Sequence, residues 1–285
     1  MIRWMLAGAL SMAMSAVAQA APPAAIFTDP PVDAAHPARM EVLHIPTGGV
    51  EVNAIAYVPA GAGPHPTVVL FHGLPGNEKN LDLAQAMRRA GWTVVAPNYR
   101  GSWGSPGTFS FKGNLDDARA VLAYVRDPAN AARLQIDAKK LVLVGHSMGG
   151  WVTSQTAAAD ADVAGAVLIS AADVGRIAAA PEAMRIDLAK NNMEALAGVT
   201  PQSMAAEMAT LGGHGFADAA PGLAKHPLLV LTADDGLAPG AEALVLDVKR
   251  RGGKVRVVHV ATDHGWNTAR IRLESEVLAW LAGLP

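Results

Sequence analysis

The chain has 285 residues, no cysteine and a formal net charge of −2, and 51% of its residues are hydrophobic against 17% that are charged. This composition excludes disulfides, thiolate metal sites and a cysteine nucleophile, and it supplies the core of one large α/β domain or two small ones. Because no basic run occurs, nucleic acid is not an expected partner.

The first twenty residues have the pattern of a secretory signal peptide. Arg3 is their one charge, an apolar segment follows from Trp4 to Val17, and Ala18-Gln19-Ala20 forms an A-x-A cleavage site. The apolar run is short for a membrane span, so an uncleaved anchor is the less favoured alternative. We therefore expect a secreted or periplasmic protein with no membrane span after cleavage.

An extended lead-in and a hairpin are predicted next. Residues 21–37 are rich in Pro and Ala and are expected to be extended, with the main domain occupying residues 38–285. Two runs of strand character, Met40–Ile45 and Val50–Val58, flank Gly48-Gly49. This pattern predicts two antiparallel strands around a tight turn.

Beyond the hairpin, short apolar runs alternate with segments of helical periodicity. Strands are predicted at Thr67–Phe71, Trp92–Ala96, Leu141–Val144, Val163–Ser170, Leu228–Thr232 and Val255–Val260. Helices are predicted at Leu81–Ala90, at Leu115–Val125, from Met148 onward, at about Ala241–Arg251 and at Trp266–Leu281. The alternation predicts an α/β protein with a mostly parallel sheet, helices on both faces and the hairpin as an antiparallel edge.

Residues 174–226 interrupt this alternation, because 53 residues are far more than one crossover needs. Two helices are predicted here, one from Pro181 to about Ala197 and one capped by Thr200 that ends near Gly212-Gly213. We interpret residues 174–226 as a helical lid. Its methionines either line an adaptable apolar pocket or pack beneath the lid itself; they are Met184, Met193, Met204 and Met208.

A G-x-S-x-G motif, Gly145 to Gly149, joins the predicted strand Leu141–Val144 to the helix that follows. A strand that turns sharply into a helix strains the central residue and exposes its side chain, and glycines two positions to either side leave room. The motif predicts Ser147 as a nucleophile. The alternative is a glycine-rich turn that holds a serine by chance.

A serine nucleophile needs a base and an orienting carboxylate, which we expect at the carboxyl ends of later strands. His264 follows the last predicted strand and is the expected base. Asp235 follows the preceding strand and begins a D-x-x-x-P turn, which makes it the preferred acid, with Asp234 as the alternative. Asp173 and Asp263 are lesser candidates for which a role at a helix or turn is favoured.

Two backbone N–H groups are expected to form an oxyanion hole, that of Met148 after the nucleophile and that of Leu74 after His72-Gly73. The histidines form no metal-ligand spacing such as H-x-H or H-E-x-x-H. No metal or cofactor is therefore expected.

Four groups of residues together resemble the α/β-hydrolase family over nearly the whole chain from about Met40. They are His72-Gly73-x-x-Gly76, Gly145-His146-Ser147-Met148-Gly149-Gly150, Asp235 with Pro239, and His264-Gly265. The resemblance implies an α/β-hydrolase fold with an eight-stranded sheet and a Ser147-His264-Asp235 triad.

The segment Asn98–Ser105 is similar to a loop of prolyl-oligopeptidase-like and dienelactone-hydrolase-like members of that family. The arginine of this loop is usually structural in those members. The resemblance thus implies that Arg100 pairs with Asp116 or Asp117.

The function implied is that of a serine hydrolase cleaving carboxylic esters of small or medium acyl groups through an acyl-enzyme. An amidase or short-peptide hydrolase would use the same residues, and a non-catalytic binding protein with this fold is a third alternative. The expected partner is a small-molecule acyl ester or amide.

Overall fold

The computed structural model describes residues 21–285. The predicted signal peptide, residues 1–20, lies outside the described residues. The strands are β1 Arg39–Thr47, β2 Val50–Val58, β3 His65–Phe71, β4 Thr93–Pro97, β5 Ile136–His146, β6 Gly165–Ile169, β7 Leu228–Thr232 and β8 Val255–His259. The α-helices are α1 Leu81–Arg89, α2 Phe111–Arg126, α3 Pro128–Leu134, α4 Met148–Ala159, α5 Glu182–Lys190, α6 Pro201–Met208, α7 Phe216–Leu223, α8 Ala238–Arg250 and α9 Arg270–Ala282.

The strands form one eight-stranded sheet in the order β1-β2-β4-β3-β5-β6-β7-β8. The β1–β2 and β2–β4 pairs are antiparallel, and the remaining pairs are parallel. The predicted fold class is therefore confirmed, including the hairpin as an antiparallel edge. Strand β1 alternates between buried and exposed residues, as an edge strand with one solvated face does.

The central strands are buried on both faces because helices cover both sides of the sheet. Residues Leu141–Val144 of β5 are fully buried, which explains why they form a continuous apolar run rather than an alternating one. One apolar cluster contains side chains of α2, α4, α7 and α8. The cluster on the opposite face contains side chains of α1 and α9. Among the described residues, no helix combines the length and apolar character needed to cross a membrane.

The first helix of the lid segment is shorter than predicted, because α5 ends at Lys190 instead of Ala197. The residues that follow pair in extended form with the loop after β4. Trp103 N–H donates to the Ala195 carbonyl at 2.9 Å, and Ala197 N–H donates to the Gly101 carbonyl at 2.8 Å. These backbone bonds replace the ones that a continued helix would make.

The predicted cap of the next helix is confirmed, since Thr200 Oγ1 accepts from Ser203 N–H with Pro201 in the first turn. Helix α7 was not predicted, because Pro221 interrupts its short pattern. It packs directly on α4, where a Cβ at Gly222 would lie 2.1 Å from the Ala158 carbonyl oxygen. This part of residues 174–226 therefore belongs to the helix layer on the sheet, while the lid role of the remainder stays a prediction.

The four methionines of residues 174–226 differ in burial, which bears on whether they line a pocket or pack beneath the lid. Met204 and Met208 are buried in the core cluster, as expected if they pack beneath the segment itself. Met193 is half-buried, and Met184 is exposed.

Candidate active site

The strand β5 enters helix α4 through a strained turn centred on Ser147. Its φ of 57° and ψ of −121° are unusual for a residue with a side chain. The two motif glycines are required by contact: a Cβ at Gly145 would lie 2.0 Å from the Gly149 carbonyl oxygen, and one at Gly149 would lie 2.2 Å from the Phe71 carbonyl oxygen. The G-x-S-x-G spacing thus builds the sharp turn that was predicted.

His264 and Asp235 meet at the same edge of the sheet. Asp235 Oδ2 lies 2.9 Å from His264 Nδ1. Because a carboxylate accepts, Nδ1–H is the donor, and Nε2 of the neutral ring is left as a proton acceptor. The Asp235 side chain is 3% exposed and that of His264 is 42% exposed, so the acid is enclosed while the imidazole reaches the surface.

The Asp235 carboxyl is held in its ionised form. Burial raises its pKa, but hydrogen bonds from the His264 side chain, from Leu237 N–H and from the Ser170 side chain outweigh burial and lower the pKa to about 2. A negative charge beside Nδ1 stabilises the imidazolium that forms when the ring takes a proton.

Asp234, the alternative acid, contacts His259 and not His264. Its Oδ1 lies 3.1 Å from His259 Nε2, and His259 Nδ1 lies 3.0 Å from Thr232 Oγ1. The adjacent aspartates therefore contact different histidines, and the preferred residue is the one that contacts His264.

The other two candidate acids stabilise local structure, in line with the favoured interpretation. Asp173 Oδ1 accepts from Phe216 N–H at the start of α7. Asp263 accepts from both the backbone and the side chain of Asn267, each at 2.8 Å.

His264 is placed beside the serine turn through His146. The two imidazole rings have centroids 4.7 Å apart, and His146 Nε2 lies 2.8 Å from the His264 carbonyl oxygen, to which it donates. In the described part of the chain Ser147 Oγ makes no hydrogen bond, so the turn and the His264–Asp235 pair are neighbours without a closed hydroxyl–imidazole bond. Such bonds are often long in enzymes without substrate.

The loop after β3 lies against the serine. A Cβ at Gly73 would be 2.9 Å from Ser147 Cβ and 3.4 Å from Ser147 Oγ, so only glycine permits this approach. The next residue is Leu74. Among the hydrogen bonds of residues 21–285, neither Leu74 N–H nor Met148 N–H serves as a donor, which leaves both predicted oxyanion donors available.

The conformation of this loop depends on the buried ring of His72. Nδ1 of His72 donates to the Gly73 carbonyl at 2.8 Å, and Tyr99 Oη donates to the His72 carbonyl at 3.2 Å. Gly76 has a φ of +97°, and a Cβ there would lie 2.2 Å from His72 Nδ1. The H-G-x-x-G spacing is thus a packing requirement of the loop.

Three residues of this region were not assigned a role from the sequence: His146, Ser170 and Trp266. Trp266 Nε1 donates to Ser170 Oγ at 3.0 Å, and both residues are buried. Two of the three could have been found from the sequence. His146 lies within the serine motif, and Trp266 follows His264 by two residues. No sequence pattern points to Ser170, because only the folding of the chain brings its side chain to Asp235.

Arg100 has the structural role that was predicted, with Asp117 as its main partner. Arg100 Nε donates to Asp117 Oδ1 at 2.6 Å, and Arg100 N–H donates to Oδ2 at 2.8 Å. Asp116 lies farther away, at 3.7 Å from the guanidinium. Among residues 21–285, no cluster of three or more His, Cys, Asp or Glu side chains is arranged to hold a metal ion.

The sheet order, the helices on both faces and a serine at the turn after β5 define an α/β-hydrolase architecture. A model described as the alpha/beta hydrolase family matches residues 68–282. The chain therefore belongs to the alpha/beta hydrolase family.

Individual relatives are distant. The uncharacterized protein YfhR of Salmonella typhimurium is 34% identical over 85 residues, and the match spans 30% of this chain and 27% of that protein. A fungal esterase from Rhizomucor miehei is similar in structure, with a TM-score of 0.66, 19% identity and coverage of 92% of this chain and 86% of the esterase. Pyrococcus horikoshii acylaminoacyl peptidase has a TM-score of 0.64, 15% identity and coverage of 86% and 41%. At identities of 15% and 19%, these two structural similarities establish that this chain shares their fold.

Proposed function

We propose that this chain is a serine hydrolase that cleaves carboxylic ester bonds of small or medium acyl substrates. The observation that carries the proposal is the 2.9 Å contact between Asp235 and His264, beside a strained serine turn. The proposal is supported by membership of the alpha/beta hydrolase family and by the structural similarity to an esterase.

Each residue has a distinct part in the proposed reaction. His264 Nε2 takes the proton of Ser147 Oγ, which attacks the acyl carbon, and the N–H groups of Leu74 and Met148 stabilise the oxyanion. His264 then protonates the leaving alcohol. Water attacks the acyl-enzyme with the same base, releasing the acid and restoring Ser147. Asp235 keeps the imidazole in the required tautomer throughout.

The first test is Ser147→Ala on p-nitrophenyl esters. Removing the nucleophile is expected to lower kcat by at least about 10⁴-fold while leaving thermal unfolding intact. Ser275→Ala is the matched control, because Ser275 lies in α9 and, among residues 21–285, its hydroxyl bonds only to the Ile271 carbonyl. Retention of most ester turnover in Ser147→Ala would refute the assignment.

The acid is tested by a pair of neighbouring variants. Asp235→Asn is expected to lower kcat by about 10⁴-fold, since the amide leaves the imidazole in the wrong tautomer. Asp234→Asn removes an exposed carboxylate that contacts His259 and is expected to keep near-normal turnover. The reverse pattern would make Asp234 the acid.

The oxyanion loop is tested sterically, because its donors are backbone groups. Gly73→Ala introduces a Cβ 2.9 Å from Ser147 Cβ and is expected to reduce kcat by about 10²-fold or more through displacement of the loop. Gly213→Ala is the control, since a Cβ at Gly213 meets no atom within 4 Å. Equal kcat in the two variants would contradict this placement.

An amidase or short-peptide hydrolase is the second candidate, and the structural likeness to an acylaminoacyl peptidase favours keeping it. The same acyl-enzyme serves both reactions, so a panel of acyl esters against aminoacyl anilides with the same acyl group separates them. A non-catalytic binding role is the third candidate. Labelling of Ser147 by a fluorophosphonate probe excludes it, and lack of labelling in the folded protein supports it.

Secretion or a periplasmic location is proposed from the N-terminal pattern of residues 1–20 alone. The test is cell fractionation together with N-terminal sequencing of the purified protein. A mature N-terminus at Ala21 in the periplasmic or extracellular fraction supports the proposal. An intact Met1 in the cytoplasmic fraction contradicts it.

A further inference from the structure

A cavity lies beside the loop that follows β3. It has a volume of about 260 Å³ and is bounded by β2, β4 and the residues before α1. This volume is slightly below the range of roughly 300–1,000 Å³ for drug-sized ligands, so the cavity suits a small molecule. Among the described residues that line it are His72 and Trp103, but none of Ser147, Asp235 and His264. The cavity is thus distinct from the proposed catalytic residues.

The walls of the cavity are largely apolar. Ile55, Leu70 and Leu81 form part of them, and all three belong to or pack against the core cluster on this face of the sheet. Val42 is at the same cavity and is 65% exposed. An apolar ligand body would therefore find a preformed surface here, which is the usual composition of small-molecule sites.

Lys79 is the one charged side chain among the described residues that line this cavity. It is half-buried, and in residues 21–285 no acidic side chain lies within salt-bridge distance of its ammonium group. The adjacent carboxylate of Glu78 is engaged elsewhere, with Asn80 N–H at 2.5 Å and Arg270 at 3.9 Å. Burial lowers the pKa of Lys79, with no acidic group among the causes to offset it.

Two contacts fix the ammonium group in place. Lys79 Nζ donates to Asn98 Oδ1 at 2.9 Å, and it lies 4.3 Å from the centroid of the Trp103 ring. Trp103 is itself held by a hydrogen bond from Nε1 to the Pro75 carbonyl at 2.6 Å. A half-buried ammonium group that has these two contacts and no neighbouring carboxylate is suited to bind an anion.

We propose that this cavity binds a small monocarboxylic acid with an apolar or aromatic body. The carboxylate pairs with Lys79, and the body packs on the wall formed by Ile55, Leu70 and Leu81. His72 lines the same cavity and is neutral, because burial lowers its pKa to about 4. His72 therefore adds no second positive charge to the cavity, and Lys79 remains the group that pairs with the carboxylate.

The test is isothermal titration calorimetry of the whole protein with phenylacetate and with the neutral phenylacetamide at pH 7. Phenylacetate is expected to bind at least about tenfold more tightly, because a charge-assisted hydrogen bond contributes more than a neutral one. Lys79→Gln is expected to remove this preference and Lys79→Arg to retain it. Lys139→Gln, at an exposed lysine outside the cavity, is expected to leave binding unchanged.

A second pair of variants locates the bound acid. Val42→Glu places a negative charge at the exposed part of the cavity and is expected to weaken phenylacetate binding about tenfold, whereas Val42→Gln is expected to have little effect. Equal affinity for acid and amide overturns the proposal, as does binding that is insensitive to both Lys79→Gln and Val42→Glu. Because no turnover is measured, the result is independent of the proposed hydrolase activity.

Discussion

The indole Nε1–H of Trp266 donates to the hydroxyl of Ser170 across 96 positions of sequence, at 3.0 Å. Both residues have left-handed backbone, with φ of 59° and 41°. Strain of about 1–3 kcal/mol per residue persists only where surrounding contacts enforce it, and it is concentrated at functional sites. The Ser170 side chain in turn helps lower the pKa of Asp235. We infer that Trp266 and Ser170 orient the carboxylate.

Ser170→Ala is therefore expected to reduce kcat for ester hydrolysis by about tenfold to a hundredfold with little change in KM, because a misplaced Asp235 misorients the imidazole. Steady-state kinetics on p-nitrophenyl esters measure the effect. Ser275→Ala, at a half-buried serine of α9, is the control. An unchanged kcat in Ser170→Ala would leave Ser170 with a packing role only.

The backbone strain at Ser147 is expected to lower the stability of the fold, and relieving it should stabilise the protein at the cost of its activity. Glycine adopts a positive φ without penalty, so Ser147→Gly is expected to raise the free energy of unfolding by about 1 kcal/mol relative to Ser147→Ala. Both variants are expected to lose ester turnover. Urea unfolding monitored by circular dichroism makes the comparison, and equal stabilities would argue against strain at this turn.

The ion pair of the half-buried Arg100 with the buried Asp117 is expected to dominate the stability of the loop after β4. Asp117 is 2% exposed and also accepts from Thr47 Oγ1 at 2.8 Å. Asp117→Asn removes the nearer of the two carboxylates beside the guanidinium and the buried one, and is expected to cost about 3 kcal/mol or more. Asp116→Asn changes a carboxylate that is 58% exposed and is expected to cost less than about 1 kcal/mol. Chemical denaturation measures the free energy of unfolding of both variants, and equal losses would contradict the larger role given to Asp117.

Acid is expected to destabilise the fold through two buried histidines. Burial lowers the pKa of both His72 and His146 to about 4, below the ordinary value of 6.5. The unfolded chain therefore binds these protons first, and the free energy of unfolding falls as the pH drops from about 6.5 to 4. His146→Gln is expected to flatten this dependence, whereas His44→Gln, at an exposed position, is not. Urea unfolding between pH 7 and pH 4 tests this, and parallel curves for His146→Gln and the unsubstituted protein would contradict it.

The elements that the sequence predicted correctly are those whose signals are local. The runs that became β3, β5 and β7 are continuous and apolar because both faces of these strands are covered, and their order predicts a parallel sheet. Gly145 of the serine turn is also local, since it relieves a contact with the Gly149 carbonyl oxygen four residues later, whereas Gly149 leaves room for the Phe71 carbonyl oxygen at the end of β3. Helix α7 was missed because Pro221 interrupts its short helical pattern. The end of α5 was misplaced because residues 195–197 pair with the loop after β4 instead of continuing the helix.

The amino-acid sequence by itself determined the succession of the eight strands along the chain, the position of the serine turn and the presence of a histidine after the last strand. Only the tertiary structure decided that Asp235 contacts His264 while Asp234 contacts His259, and that Trp266 donates to Ser170, whose side chain reaches Asp235. The physical reason is that residues at a turn point in directions set by its backbone angles and by the packing around it. Adjacent aspartates are alike in sequence, and only their different surroundings separate them.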